Sequence, residues 1–267
     1  MERNVIRAAC ALLRDYFMPP RCPSCKELLP IGREDDSPFC RECGLSWERE
    51  LLEACPGCGL ALPDCVCVPE LLRKVGVRDT IFLAAYRAER PGVPNRLVYY
   101  IKENRDLRVL ASLGRTLAIR VGRLVREAEL PTDRIVVAYL PRRSSAVRRY
   151  GFDQAREHAR AIAKETGYPV LHVIKRRSAA QEQKRLSREE RRKNLENAFR
   201  LSGEGDLKGR TVLLVDDVVT TGSGLAACAE LLLGAGAETV IPVTVARTEE
   251  RREKRVRTGI PAPYGRR

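Results

Sequence analysis

Eight cysteines, set in close pairs along one short stretch, constrain this chain more than anything else in it. They read Cys22-x-x-Cys25, Cys40-x-x-Cys43, Cys55-x-x-Cys58 and Cys65-x-Cys67, out of ten cysteines in 267 residues. Two thiolates separated by two residues can both face one ion from a tight knuckle, and four thiolates satisfy tetrahedral zinc. The neighbouring residues suit such turns: Pro23, Pro56 and Gly57 lie inside the pairs, and Gly44 and Gly59 follow the second cysteine, where a positive φ is often needed. Eight ligands make two sites. Chain order groups Cys22, Cys25, Cys40 and Cys43 in one and Cys55, Cys58, Cys65 and Cys67 in the other, while an interleaved arrangement satisfies the same spacing. The last pair has a single intervening residue, so the second set is the less regular, and one or two structural zinc ions are expected. Cysteine fills every position and leaves none open for water, which makes the metal structural. Cys10 and Cys228 lie on helix-like apolar faces and read as core.

A disulfide framework is the competing use of such cysteines, and it requires an oxidising compartment. The first twenty residues are not a signal peptide, because Arg7 and Arg14 break the apolar run and no small-residue cleavage site follows. A cytoplasmic protein is expected. No stretch approaches the roughly 18 uninterrupted apolar residues of a transmembrane helix, so no membrane partner is expected either. Charge divides the chain. Lys and Arg exceed Asp and Glu by 49 to 35, yet residues 1–70 carry a net −4 and residues 71–267 a net +18. This asymmetry points to two modules, the second facing a polyanion such as phosphate or nucleic acid.

Periodicity gives the rest of the organisation. Val5–Phe17 reads as a short amphipathic helix, and Trp47 as a packing residue of the cysteine-rich ribbon. Thr80–Tyr86 reads as a strand, followed by helices over Arg96–Lys102 and Val109–Glu127. From Arg134 strands and helices alternate: strand Ile135–Leu140, helix Asp153–Thr166, strand Val170–Ile174, a charged stretch Lys175–Asn194, short strand Ala198–Leu201, buried strand Thr211–Asp216, helix Ser223–Leu233 and strand Thr239–Ala246. Such alternation indicates an α/β fold with a parallel sheet flanked by helices. The expected division is an N-terminal helix (1–20), a double zinc ribbon (21–70), the α/β domain (71–247) and a mobile basic tail (248–267).

The sharpest chemical signal is Val212-Leu213-Leu214-Val215-Asp216-Asp217-Val218-Val219-Thr220-Thr221-Gly222-Ser223-Gly224. An aliphatic run ends in two acids, then in a small hydroxylated loop that opens a helix. Free amides at a helix N-terminus, with the hydroxyls of Thr220, Thr221 and Ser223, form a cradle for a phosphate dianion. Two adjacent carboxylates beside that phosphate need donors, which sugar hydroxyls would supply, directly or through a magnesium shell. No Gly-Lys-Ser/Thr follows, so this is not a Walker A loop, and the Gly-x-Gly-x-x-Gly dinucleotide pattern is absent as well.

Val212–Gly224 resembles the phosphoribosyl pyrophosphate-binding loop of type I phosphoribosyltransferases. Together with the cysteine module, the chain resembles the ComF family of competence-associated proteins, a double zinc ribbon followed by such a domain. Arg149-x-Gly151-Phe152-Asp153-Gln154-Ala155, Arg192-x-Asn194 and Ala198-Phe199 match as well, so the likeness spans roughly Cys22 to Arg247. The resemblance implies that Asp216 and Asp217 bind the ribose hydroxyls and that Thr220, Thr221, Gly222, Ser223 and Gly224 hold the 5-phosphate. The chain departs from the family at Ala138-Tyr139-Leu140-Pro141, where Pro-Leu-His-Pro is frequent, and at Asp153, where Asn is usual.

Two basic segments flank this site. Pro141-Arg142-Arg143-Ser144-Ser145 follows the first strand of the parallel unit, and guanidinium forks of Arg142 and Arg143 there suit a pyrophosphate. Lys175–Lys193, with nine basic and three acidic residues, lies where the type I fold has its mobile loop or hood. His158 and His172 have no partner pattern and read as structural. Three functions fit: a phosphoribosyltransferase-type enzyme using phosphoribosyl pyrophosphate and magnesium with an acceptor the sequence does not name, a non-catalytic sensor of the phosphoribosyl ligand, and a competence factor for DNA uptake that binds single-stranded DNA or DNA-processing proteins.

Overall fold

The computed structural model describes residues 16–17, 19–31, 37–55, 57–65, 67–89, 91–177, 198–203 and 205–249. Of the expected N-terminal helix only Tyr16 and Phe17 are among them, both helical and exposed. Cys10, the charged stretch beyond Arg177, Arg192-x-Asn194 and the tail after Glu249 lie outside the described residues.

The elements in chain order are α1 (Arg41–Leu51), α2 (Glu70–Lys74), β1 (Ile81–Tyr86), α3 (Val93–Glu103), α4 (Leu107–Glu127), β2 (Ile135–Tyr139), α5 (Ser144–Tyr150), α6 (Gln154–Thr166), β3 (Ile174–Arg176), β4 (Phe199–Leu201), β5 (Thr211–Val219), α7 (Ser223–Gly234) and β6 (Thr239–Thr248). Four strands form one parallel sheet in the order β1-β6-β5-β2, and β3 and β4 form a separate antiparallel pair.

β5 explains why its sequence is a continuous apolar run. Val212 and Leu214 face the cluster that includes Leu225, Cys228 and Leu232 of α7, while Leu213 and Val215 face Leu113 and Leu117 of α4 and Ile162 of α6. A strand covered on both faces has no solvent side on which to alternate polar residues. α4 carries its buried stripe at every fourth position (Val109, Leu113, Leu117, Val121, Val125), and Asp106 caps it by accepting from the amides of Arg108 and Val109.

The structure departs from the sequence reading in several places, among them the start of α3 at Val93, the start of α4 at Leu107 and the end of β6 at Thr248. β5 extends to Val219, not Asp216, because β6 is long enough to pair Val218 with Ala246 and Val219 with Arg247. Val170 makes only an isolated parallel bridge to Val137, and the expected strand Val170–Ile174 is replaced by β3, which leaves the sheet edge to pair with β4. The antiparallel pairing of Ile174 with Leu201 and of Arg176 with Phe199 marks that departure from the parallel sheet. Gly44, expected at a positive φ, lies inside α1 with Cys43 and Trp47 on its buried face. The residues after two of the other pairs do adopt the left-handed conformation, Lys26 at φ 69° and Gly59 at φ 76°, while Val68 after Cys65-x-Cys67 does not.

The cysteine-rich part shares its core with the sheet. Leu29, Phe39 and Trp47 lie in the same cluster as Ile81, Leu97 and Ile101. Glu50 Oε1 accepts from the amide of Val93 at 3.1 Å, Arg96 Nε donates to Ser24 Oγ at 2.7 Å, and Lys26 Nζ sits 4.1 Å from the centre of the Tyr100 ring. Among the described residues no helix is long and apolar enough to cross a membrane.

Helices α4 and α6 meet closely at Gly114, where an added Cβ would lie 2.7 Å from Ala161 Cβ and 3.0 Å from its carbonyl carbon. Gly114→Ala is therefore expected to lower stability by about 1–3 kcal/mol through overpacking. At Gly122, two turns along the same helix, the nearest atom is the flexible end of Arg126 at 3.5 Å. There Gly→Ala should add up to about 1 kcal/mol from helix propensity. Thermal unfolding of the two variants checks the opposite signs.

Candidate functional site

The carboxyl end of β5 gathers the chemistry. β2 stops at Tyr139, opposite Val215, so Asp216 and everything after it outruns the sheet edge on that side. Asp217 is buried, and its Oδ2 accepts from Gln154 Nε2 of α6 and lies 3.7 Å from Lys102 Nζ of α3. The local backbone also satisfies both acids: the Asp217 amide donates to Asp216 Oδ1 and the Val218 amide to Asp217 Oδ1, each at 2.8 Å. Asp216 keeps part of its surface in solvent but is densely surrounded by protein. Desolvation first, then the charge of Asp217, push its carboxyl well above the usual carboxylate range. The pair therefore lacks compensating partners, which a divalent cation would supply as charge and a sugar diol as hydrogen-bond donors.

The loop that follows is shaped by Gly222, whose φ of 75° only glycine adopts without strain. Gly222 at the N-cap position offers no side-chain cap; the Ser223 amide donates to Thr221 Oγ1 at 3.4 Å, and the amides that follow it in the first turn are available to an anion. Thr220 and Thr221 are exposed, and Thr221 Oγ1 and Ser223 Oγ lie 2.9 Å apart, two hydroxyls converging at the mouth of the helix. Gly224 packs under Leu140, with 3.4 Å between its would-be Cβ and Leu140 Cδ2.

Arg142 and Arg143 leave the neighbouring strand β2 at the same edge. Asp153 fixes this segment: one carboxylate oxygen accepts from the Arg142 amide at 2.9 Å and the other from the Arg156 amide at 3.3 Å, so one side chain caps α6 and pins the loop. The Arg142 guanidinium lies 4.5 Å from the Tyr150 ring centre and 5.9 Å from that of Phe152, with Nη1 buried and unpaired. Arg143 is exposed at the start of α5.

Lys102 and Gln154 were assigned no role from sequence. The available signal for Lys102 is a lone cation directly after the apolar stretch Leu97–Ile101, and Gln154 stands within the Arg149–Ala155 motif. His158 is fully buried on α6 with neither ring nitrogen hydrogen-bonded. Burial lowers its pKa from 6.5 to about 4 against the weaker opposing pull of Asp217. His172 bonds through Nδ1 to the Tyr139 hydroxyl at 2.9 Å.

The eight cysteines form two sets in chain order, Cys22/Cys25/Cys40/Cys43 and Cys55/Cys58/Cys65/Cys67, with the four sulfurs of each within 4.8 Å of one another. The interleaved alternative is thereby excluded. Sulfur separations of 3.6 Å for Cys25–Cys40, 3.9 Å for Cys55–Cys67 and 3.7 Å for Cys58–Cys65 are far beyond a disulfide bond. They match the edge of a tetrahedron with Zn–S bonds of about 2.3 Å, roughly 3.8 Å. Both sets fit zinc by donor type and spacing. Gly57 makes room for the second: a Cβ there would sit 2.9 Å from Cys67 Sγ. Cys228 is a buried core residue of α7.

A family model described as a phosphoribosyl transferase domain matches residues 146–259. DNA utilization protein YhgH of Salmonella typhi is 36% identical over 202 residues, which cover 72% of this chain and 83% of that protein. Competence protein F of Haemophilus influenzae is 34% identical over 126 residues, 46% of this chain and 54% of the relative. Among solved structures, phosphoribosylpyrophosphate synthetase from Mycobacterium smegmatis aligns with a TM-score of 0.31 and 22% identity over 50% of this chain and 33% of that one.

Two expectations follow from this geometry. Elemental analysis of reduced, purified protein should find about two zinc ions per chain, since each four-cysteine set satisfies one tetrahedral ion. A buried neutral His158 binds fewer protons folded than unfolded between pH 6.5 and 4. The stability it contributes is present above pH 6.5 and is lost as pH falls toward 4, a change on the order of 3 kcal/mol. Melting temperatures at neutral and mildly acid pH should fall further in wild type than in His158→Leu.

Proposed function

This chain belongs to the ComF family of competence-associated proteins, and from that membership and the edge of β5 we propose that it binds phosphoribosyl pyrophosphate with magnesium as a phosphoribosyltransferase-type protein acting in the cytoplasm. The observation that carries the reading is the order of groups along one strand end: two acids, two hydroxyl residues, a left-handed glycine and an uncapped helix N-terminus. A 5-phosphate fits the amides and hydroxyls from Thr220 to Gly224, and the ribose diol fits the acids.

Each residue then has a task. Thr221, Ser223 and the first amides of α7 hold the phosphate and fix the position of the sugar. Asp216 and Asp217 accept from the ribose hydroxyls, while Lys102 and Gln154 hold Asp217 in place. Arg142, stacked on Tyr150 with a buried unpaired Nη1, and exposed Arg143 offer donors to the pyrophosphate at the neighbouring strand end. Asp216 and Asp217 would hold magnesium, which would supply positive charge to the site. As the bond from the anomeric carbon to pyrophosphate breaks and the acceptor's nucleophile bonds to that carbon in its place, the positive charge that builds there is stabilised by the negative charge of the acidic pair, so catalysis is positional and electrostatic. The names of the relatives, a DNA utilization protein and a competence protein, support a role beside DNA. The exposed Arg148 and Arg149 of α5 supply basic surface next to the site for single-stranded DNA or a DNA-processing partner.

Calorimetric titration with phosphoribosyl pyrophosphate tests the site. Each lost charge-assisted hydrogen bond costs about 1.5–3 kcal/mol, so Asp216→Asn with Asp217→Asn should weaken binding at least a hundredfold in magnesium. Zinc content should be unchanged. Equal affinity of wild type and double variant with magnesium present would mean that the ligand sits elsewhere.

A further inference from the structure

We infer that the second cysteine group, Cys55/Cys58/Cys65/Cys67, is a scaffold for the phosphate loop, and that Arg247 is the positioning residue joining the two. Two independent paths run from the group to the loop. Arg247, near the end of β6, pairs through its backbone with Val219, the residue before Thr220. Its guanidinium turns to the cysteines: Nη1 donates to the Cys67 carbonyl at 2.6 Å, and Nη2 lies 3.4 Å from Cys55 Sγ and 3.3 Å from Cys65 Sγ. The guanidinium carbon rests 4.1 Å from the centre of the Phe82 ring, and Phe82 shares a buried cluster with Cys55, Cys65 and Ala85.

The second path is the chain itself. Cys67 leads through Val68 and Pro69 into α2, whose Leu72 is fully buried. Pro69 and Leu72 wall the turn at Gly222, where a Cβ would lie 3.5 Å from Leu72 Cγ and 3.7 Å from Pro69 Cβ. The group thus braces Val219 on one side and Gly222 on the other, the two residues that bracket Thr220 and Thr221. Electrostatics supports the link: four thiolates around a zinc ion leave a net charge of −2, and a guanidinium donating to two of the sulfurs offsets half of it. Without the metal the sulfurs lose their reason to converge, Arg247 loses its anionic partner, and both braces slacken. Among the described residues, the hydrogen bond and the cation–ring contact from the first group's segment run to α3, through Ser24–Arg96 and Lys26–Tyr100, and not to the phosphate loop.

This inference rests on the two groups being zinc sites and is independent of which ligand the loop takes. Its test joins hydrogen exchange of the amides from Val218 to Leu225 with timed release of zinc from the full-length protein to a colorimetric chelator. In Arg247→Ala one of the two zinc ions should be released roughly 10- to 100-fold faster. The loop amides should exchange faster while those of Leu213–Val215 stay protected, as in a local opening. Arg247→Lys, which keeps the charge but not the fork, should fall between. Stripping zinc from wild type should raise exchange in the same amides without any substitution, and Cys25→Ser, which disables only the first group, should leave them as they were. Zinc release at the wild-type rate in Arg247→Ala, or loop amides that keep their protection after zinc is stripped, overturns the inference.

Discussion

β5 is buried on both faces and, over its first half, paired on both edges. A slip of one residue would move Leu213 and Val215 from beneath α4 and α6 to beneath α7, so the strand has a single workable register. Beyond Val215 that hold becomes one-sided, because β2 has ended while β6 continues to Thr248. The acids therefore emerge at a fixed depth beside an open edge, and the turn at Gly222 emerges at a fixed distance after them. Positions of Lys102, Gln154 and Arg142 have meaning only relative to that frame, since each comes from a different element converging on the same strand end.

The site concentrates groups that are costly to keep in a folded chain. Asp216 is held toward its neutral form by burial and by Asp217, and His158 is neutral with both nitrogens unpaired. The buried Nη1 of Arg142 and Oε1 of Gln154 add two further polar atoms without partners. Polar atoms left unsatisfied in a protein interior oppose folding. Their clustering at one sheet edge fits a site whose polar groups are completed by what binds there, while the core beneath is almost wholly aliphatic.

Much of this was legible in the residues. Knuckle spacing implied two four-sulfur sets, and the aliphatic run ending in two acids and a hydroxylated glycine loop marked the strand end and the helix after it. What escaped had physical reasons. α5 carries no buried residue, so its seven residues show no apolar stripe to betray a helix. α1 lies among cysteines whose spacing reads as turns, and Cys43 and Trp47 are too few to announce a period. The extra length of β5 depends on β6, about 100 Å away along a fully extended chain but adjacent in the sheet. Lys102 and Gln154 reach Asp217 from elements that only the fold brings near, and no local pattern encodes such a meeting.

The packing of the cysteine-rich part against α3 has a consequence for how this protein can be divided. Glu50 occupies the amide of Val93 at the start of α3, and Phe39 and Trp47 complete the apolar surface beneath Leu97 and Ile101. The helix so covered is the one that delivers Lys102. A chain cut just before the sheet would therefore bare a greasy flank, leave a helix start uncapped and release the lysine from its station. Such a fragment would be prone to clump before its charge balance could be examined. The small N-terminal portion and the larger one share a single buried core.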